Sequence, residues 1–509
     1  MSVSKSPRQS LPLASLLEGV VAPERVGPEQ VSALTLDSRA VEPGSLFIAC
    51  RGTLHHGLDY LSQAVTRGAV AVLCEPDEDF SLEDIDVLAE TTGVPLYPVD
   101  RLRERVSLIG GRFYGHPSQQ MTVVGVTGTN GKTSCCHFLS QAFSPERLCA
   151  VIGTVGNGLP GALEPASHTT PDAIALQSLL CDLQQRGAEM VAMEVSSHAL
   201  DQGRAAAVHF DLAVLTNLSQ DHLDYHQDME AYAEAKQRLF RMPGLQVAVL
   251  NMDDPFSERI RGDLSGAVRV VGYGCGKPFD GMLDHWLRAT HILPEQDGLA
   301  VTLESSWGEG QLKCGLLGRF NVSNLLAVLA VLLEQGVAFD AALEKLSALT
   351  TVSGRMERFG GGERPLVVVD YAHTPDALEH ALKALQEHVG GRLVCVFGCG
   401  GDRDRGKRPL MGAIAERYAD RVIVTDDNPR TEAGDRIVDE ILAGMSDSAQ
   451  VAVQRRRDLA IEQAIREAAP GDLVLIAGKG HEDYQLVGDR VLPFSDRQQV
   501  EKCLAEVWP

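Results

Sequence analysis

The chain has 509 residues, too long for one ordinary hydrophobic core, and its length points to about three domains. Apolar content of 44% and charged content of 23% are those of a water-soluble globular protein. A formal net charge of −23 excludes a general binder of nucleic acid or of an anionic membrane, which needs a basic face, yet leaves room for a local phosphate pocket.

The opening, MSVSKSPRQSLPLASLLEGVV, is weakly positive and its apolar stretch is broken by Glu18, a poor match to a signal peptide. No uninterrupted apolar run approaches the ~18 residues of a membrane span, so no membrane insertion is expected. The eleven cysteines are an odd number without a CxxC pair, which fits reduced thiols better than a disulfide frame or a zinc site. Cys135, Cys136, Cys395 and Cys399 read as small buried hydrophobes. Strand-like runs alternate with helical ones nearly throughout, the α/β pattern of layers on parallel sheets. Joints near Phe113–Met121 and Leu349–Pro365 predict blocks of 1–118, 119–350 and 351–509.

The middle block opens with TVVGVTGTNGKTSCCHFL, a buried strand over Thr122–Val126, a glycine-rich turn and a helix. Gly128, Gly131, Lys132 and Thr133 end a phosphate loop, in which glycines let backbone N–H groups close around phosphate oxygens at a helix N-terminus. Lys132 is placed to reach the β and γ phosphates and the Thr133 hydroxyl to bind Mg²⁺. The spacing departs from the common pattern, with Val126 where the first glycine belongs and Gly125 one residue early. AEMVAMEVSSH ends an apolar run in Glu194, where such sheets carry a metal-binding carboxylate. FDLAVLTNLSQDHLDYH ends in Asn217 and a cluster of Asp221, His222, Asp224 and His226. Ligands of parallel sheets sit outside the strands' carboxyl ends, so these groups should converge on the phosphate loop. In the following helix, MEAYAEAKQRLF, composition alone makes Lys236 a solvated lysine.

The last block repeats the pattern. LVVVDYAHTPD, RLVCVFGCGGDRDRG, RVIVTDDNPR and DLVLIAGKGHE are four apolar strands running into polar or glycine-rich loops. GCGGDR lacks the GxGxxG spacing of a nicotinamide or flavin site. Parallel strands predict one rim carrying Asp370, His373, Arg403, Asp427, Arg430, Gly478 and Glu482. Such a rim can grip a zwitterion, arginine forks taking carboxylate and acids taking ammonium, or it can be an ion-pair network that pins the loops.

GVTGTNGKT, HTTPD, MEVSSHALDQGR, NLSQDHLDYH, GRFNVSN, SGRMERF, YAHTPDAL, FGCGGDRDRGKRP, DDNPR and AGKGHEDYQ occur in this order between about Leu36 and Gln485. Together they closely resemble the Mur ligase family. The resemblance implies a cytoplasmic, monomeric enzyme of peptidoglycan precursor synthesis with a three-domain architecture: a UDP-sugar-binding N-terminal domain, a central P-loop domain for ATP and a Rossmann-like C-terminal domain for the incoming amino acid. Within the family the motifs are similar to those of the branch that adds meso-diaminopimelate to a UDP-muramoyl-dipeptide.

The same resemblance assigns residues. Leu36, Ser38, Thr53, Leu54 and His55 would contact the UDP end, and His168, Thr169, Thr170, Ser196, Gln202 and Arg204 the muramoyl-dipeptide; relatives often carry Asn where His168 stands. Thr127, Gly128, Thr129, Asn130, Gly131, Lys132 and Thr133, with Asn321, Arg355 and Asp370, would hold ATP. Mg²⁺ would be held by Thr133, Glu194, His222 and Lys236, the last as a carbamate, which reverses its reading as a solvated lysine. Lys132, Glu194, His222 and Lys236 then form the catalytic set. Diaminopimelate falls to Arg403, Asp427, Asn428, Pro429, Arg430, Gly478 and Glu482. The resemblance implies phosphoryl transfer from ATP to a substrate carboxylate, then attack by an amine. A lysine-adding counterpart, a folylpolyglutamate synthetase and an ATP-driven switch without amide synthesis are the alternatives. DDNPR ending in arginine speaks against the first, the muramoyl-dipeptide motifs against the second, and phosphate release that needs every substrate would exclude the third.

Overall fold

The computed structural model describes residues 10–52, 55–144, 146–166, 168–276, 278–279, 283–447, 449 and 451–508. Thr53 and Leu54 lie outside the described residues, as does the side chain of Asp224. Contacts divide the chain into two compact units, Met1–Lys132 with Phe143–Val249 and Asp254–Val270, and Thr133–Ala142 with Leu250–Asp253 and Val271–Pro509.

The first unit contains a sheet of four parallel strands in the order Ala33–Thr35, Ser45–Ala49, Ala69–Cys74 and Leu96–Pro98. Side chains alternate between its faces: Leu46, Ile48, Ala71 and Leu73 enter one core, while Phe47, Ala49, Val72 and Cys74 enter another. The strand Thr122–Thr127 then lies between Met190–Glu194 and Leu212–Leu215, parallel to both. Beyond Met190–Glu194 come parallel Cys149–Gly153 and antiparallel Gly156–Leu159 and Ala162–Glu164. The central runs are apolar on both faces because both are covered, as parallel sheets require. Register pairs Glu194 with Val126 and Leu215 with Thr127, so three strands finish together beside the glycine-rich turn.

The second unit contains the antiparallel strands His285–Glu295, Gly298–Ser305 and Gly308–Cys314. Helix Phe320–Glu334, FNVSNLLAVLAVLLE, is apolar nearly all round and buries residues on every side, as an interior helix must. The final sheet runs Glu357–Gly360, Leu366–Asp370, Leu473–Ala477, Leu393–Phe397, Arg421–Val424 and Ala452–Val453, parallel after its first strand. Leu366, Val368, Cys395 and Phe397 pack with helices Pro375–Gln386, Lys407–Tyr418 and Gly434–Leu442. Val367, Val369, Val394 and Val396 pack with Arg457–Glu467 and Asp496–Val507. The sheet is therefore doubly wound, and its carboxyl ends form one rim. Cys135, Cys136, Cys395 and Cys399 are buried, as the sequence suggests. Among the described residues, no helix is long and apolar enough to cross a membrane.

Candidate functional site

The phosphate loop is built on glycine. Gly128 has φ +144°, and a Cβ there would strike the Thr216 hydroxyl and the Asn217 carbonyl. That close approach zips the loop to the end of the neighbouring strand. Thr129 N donates to Asn217 O at 2.9 Å, Asn130 N to Asn217 Oδ1 at 2.9 Å, and Thr216 Oγ1 to Asn130 O at 2.6 Å. The Thr127 hydroxyl is turned away, donating to Val195 O.

Lys132 begins helix Lys132–Phe143, with Thr133 next. Its Nζ curls back and donates to the Gly128 and Thr129 carbonyls, each at 2.9 Å. Lys236 reaches the same place, donating to Gly128 O at 2.8 Å. It is 1% exposed, so the composition reading of a solvated lysine is corrected. Tyr232, Ala233 and Ala235 of helix Met229–Gln237 are buried with it, and the Tyr232 ring centroid lies 4.4 Å from its ammonium. Burial first, then the charge of Lys132, pushes its pKa well below the usual lysine value, with Asp221 pulling the other way.

Glu194 is also 1% exposed and accepts from Thr154 N at 2.8 Å and Thr154 Oγ1 at 3.2 Å. His222 holds a left-handed φ of +54°, its N–H bonded to Asp221 Oδ1 and its ring 4.9 Å from that of His198. Among the described residues no three His, Cys, Asp or Glu side chains gather into a ready-made metal cage. Mg²⁺ does not need one, because it keeps several waters and phosphate oxygens and takes one or two protein carboxylates. A buried carboxylate at the strand end next to the phosphate loop fits that demand.

Along the same unit runs a cleft of two adjoining cavities, about 860 and 360 Å³, which share Leu36, Cys50, Asp172 and Ala175. Ser38 and His55 line the larger, with Ser38 Oγ donating to Gln63 Oε1. His168, Gln202 and Arg204 line the smaller. From there a hydrogen-bonded line leads to the carboxylate. Arg204 donates to Gln202 Oε1 and Thr170 O, Thr170 Oγ1 donates to Glu194 O and Ser196 Oγ, and the Thr169 and Thr154 hydroxyls meet at 3.0 Å.

In the second unit, Asn321 is buried, donating to Leu317 O and accepting from Asn324. The Arg355 guanidinium lies 5.0 Å over the Tyr371 ring. Among the described residues, Arg355 Nε, His137 Nε2 and His481 Nδ1 are buried without a hydrogen-bond partner. Burial and then Arg355 push His137 down to about 4 and also lower His481, so both rings stay neutral near an available cation. The Asp370 carboxylate accepts from Met356 N and Ala372 N, while burial pushes its pKa up.

The rim expected from the four strands is present: Asp370 is in register with Ala477, and Phe397 with Val424. Among the described residues neither Arg403 nor Arg430 has a carboxylate partner; Arg403 is exposed, and Arg430 is half-buried, donating Nη1 to Gly401 O at 2.8 Å. Gly400 and Gly401 make room, since a Cβ on Gly400 would lie 2.9 Å from Arg430 Nη1 and one on Gly401 would strike Pro429 O. Arg430 takes φ +51° and is tied by its backbone to Leu486 and Gly488. Asp427 is buried, and burial pushes its pKa up against Arg457 and Lys479, which lower it. Asn428 is not free: Oδ1 accepts from Lys479 Nζ and Leu486 N, and Nδ2 donates to Glu482 Oε2. Sequence reasoning did not single out Lys479, Arg457 or Asp496. Burial reveals them, although Lys479 stands between the two glycines of AGKGHE.

Three family models match the chain: "Mur ligase family, catalytic domain" over 30–114, "Mur ligase middle domain" over 126–332, and "Mur ligase, glutamate ligase domain" over 354–480. The chain is 52% identical over 479 residues to the UDP-N-acetylmuramoyl-L-alanyl-D-glutamate–2,6-diaminopimelate ligase of Alkalilimnicola ehrlichii, covering 94% of this chain and 95% of that one. It is 48% identical to the protein of that description from Coxiella burnetii, covering 93% and 96%. A solved structure of a ligase with the same description is similar at a TM-score of 0.73 and 35% identity, covering 98% of this chain and 99% of that one.

Proposed function

The chain belongs to the Mur ligase family, and on that premise we propose that it joins meso-2,6-diaminopimelate to the D-glutamate γ-carboxylate of UDP-N-acetylmuramoyl-L-alanyl-D-glutamate, using ATP. The observation that carries the choice of amino acid is the pair Arg403 and Arg430, two guanidiniums on one rim without a carboxylate partner among the described residues. A dicarboxylate supplies what they lack, and Glu482 and Asp427 stand by for ammonium. A lysine side chain would bring its ammonium towards them instead.

The domains we propose are 1–118 for UDP-sugar, 119–350 for ATP and 351–509 for the amino acid. Leu36, Ser38 and His55 hold the UDP end and His168, Thr169, Thr170, Ser196, Gln202 and Arg204 the dipeptide. The cleft lined by Leu36, Ser38, His55, His168, Gln202 and Arg204, and the hydrogen bonds of Thr170 and Thr154 to Glu194, support this direction. Thr127 to Thr133 bind the phosphates, and Asn321, Arg355 and Asp370 contribute to nucleotide binding. Thr133, Glu194, His222 and a carbamate on Lys236 would hold Mg²⁺, which would supply positive charge to offset the phosphate oxygens. The lowered pKa of Lys236 supports the carbamate, because CO₂ adds to a neutral amine, forming an N–C bond and releasing a proton.

Phosphoryl transfer is mostly positioning and charge neutralisation. Lys132 leaves its carbonyl partners for the phosphates and offsets charge as the γ-phosphoryl group passes to the carboxylate oxygen, leaving ADP and an acyl phosphate. Arg403 and Arg430 fix the amino acid by its carboxylates, while Glu482 orients its ammonium, which loses a proton before the nitrogen attacks. The C–O bond to phosphate then breaks, and an amide remains. The enzyme acts in the cytoplasm as a monomer, in peptidoglycan precursor synthesis.

Phosphate release should require the UDP-dipeptide, ATP, Mg²⁺ and diaminopimelate together, and a screen of amino acids should single out diaminopimelate. Release without an amino acid, or equal rates with lysine, contradicts this reading.

A further inference from the structure

Below the rim lies a group of charges that substrate binding does not by itself explain. Lys479 is 0% exposed, set between Gly478 and Gly480, whose positive φ values of +116° and +53° turn the chain so that its side chain points inward. Its Nζ donates to Glu482 Oε2 at 2.9 Å and to Asn428 Oδ1 at 3.1 Å, and stands 3.8 Å from Asp427 Oδ1. The Tyr484 ring closes the other side, 5.5 Å from the ammonium. Beneath, Arg457 and Asp496 form a second buried pair, with both side chains 0% exposed and bonds of 2.7 and 2.6 Å.

We propose that Lys479 is a positioning residue for the amino-acid substrate, holding Glu482, directly and through Asn428, in the orientation that receives the substrate ammonium. This rests on the reading of the rim as the diaminopimelate site. Arg457 pairs with Asp496, but its Nη1 has no partner among the described residues and its charge also reaches Asp427, so two cations, Lys479 and Arg457, stand against three carboxylates, Asp427, Glu482 and Asp496. One negative charge remains unmatched at the edge of a poorly solvated site, and an arriving ammonium completes it.

Geometry adds a second constraint. The Asn428 amide is oriented because two donors, Lys479 Nζ and Leu486 N, converge on its oxygen. Its nitrogen is thereby turned to Glu482 Oε2, the oxygen that Lys479 also holds. Both of these donors hold one oxygen of Glu482. Without Lys479, two neighbouring carboxylates would share the site with only the more distant charge of Arg457 to offset them, which favours protonating one of them. Asn428 would lose one of the two donors that fix its amide. The groups facing this cluster are Asp427, Glu482, Arg457, Asp496 and Tyr484, with Tyr371 and Arg430 acting on it through their charge or ring.

The test is steady-state kinetics of full-length Lys479→Ala and Lys479→Met, varying each substrate, with and without added n-propylammonium or n-propanol. We expect the diaminopimelate KM to rise about thirtyfold, the ratio produced by losing hydrogen bonds to a charged group, while kcat and the KM values for ATP and UDP-dipeptide stay within about twofold. Propylammonium should restore most of the loss in Lys479→Ala, and propanol should not, because the missing element is charge and not volume. An unchanged diaminopimelate KM, equal rescue by propanol, or loss of folding in both variants overturns the proposal. If wild type shows no diaminopimelate-dependent phosphate release, the reading of the rim fails instead, which separates the two.

Discussion

The amino groups of Lys132 and Lys236, 104 residues apart in sequence, donate to one atom, the Gly128 carbonyl oxygen, at 2.9 and 2.8 Å. Two full cations on a single carbonyl, one of them buried, is an arrangement that favours releasing a proton. Lys236 is the one that yields, since burial and the charge of Lys132 both lower its pKa. The phosphate loop thus brings two lysines to one carbonyl, and burial with the charge of Lys132 favours the neutral form of Lys236.

Lys132→Ala is expected to abolish ligation while leaving UDP-dipeptide affinity nearly intact. Lys132 touches the Gly128 and Thr129 carbonyls, whereas the cleft is lined by other segments. Calorimetry showing that affinity for the UDP-dipeptide disappears along with activity would contradict this division of labour.

Lys236→Ala is expected to be nearly inactive and partly rescued by formate or acetate, whose carboxylate imitates the carbamate oxygens. Full activity in the unrescued variant would remove Lys236 from the chemistry. Its lowered pKa also predicts a stability effect with a definite sign. Below about pH 10.4, the ordinary lysine value, the unfolded chain binds a proton that the folded chain resists, so lysine destabilises more as pH falls towards its folded pKa. Lys236→Met should therefore raise Tm more at pH 7 than at pH 9.5, measured without CO₂; a gain independent of pH would contradict it.

Arg408 shows how the rim arginines are held. Fully buried, it bonds both Glu432 oxygens, Glu440 and Gly400 O, joining the loop that carries Arg403 to the turn that carries Arg430. Arg408→Met should lower Tm by several degrees and raise the diaminopimelate KM about tenfold, because two loops lose a shared anchor. A diaminopimelate KM that stays at the wild-type value would show that the loops hold their shape without it.

The rim was legible because parallel strands announce themselves as apolar runs and their loops carry the polar residues. Asp370, Arg403, Asp427, Arg430 and Glu482 follow from that pattern alone. The phosphate loop was equally open to reading, since only glycine fits where Gly128 passes Thr216 and Asn217. Burial of charge was not legible. Lys236 sits in an Ala- and Glu-rich helix that reads as solvated, and Lys479, Arg457 and Asp496 look like surface residues until packing encloses them. Nor does sequence tell which side of an amide faces what: only the structure shows that the Asn428 oxygen accepts from Lys479 and its nitrogen donates to Glu482. Such facts depend on residues distant in the chain.

The most direct measurement compares kcat/KM for meso-diaminopimelate and for lysine in wild type, Arg430→Ala and Arg430→Lys. Diaminopimelate differs from lysine by a carboxylate at the far end of its side chain, and Arg430 can attract that group and repel lysine's ammonium. Arg430→Ala should lower kcat/KM for diaminopimelate about a hundredfold, equivalent to about 3 kcal/mol for a lost charge-assisted fork. ATP and UDP-dipeptide use should change far less, lysine should gain relative to diaminopimelate, and Arg430→Lys should rescue poorly because an ammonium cannot form two parallel bonds. Unchanged diaminopimelate kinetics in Arg430→Ala, with discrimination against lysine intact, would contradict the account.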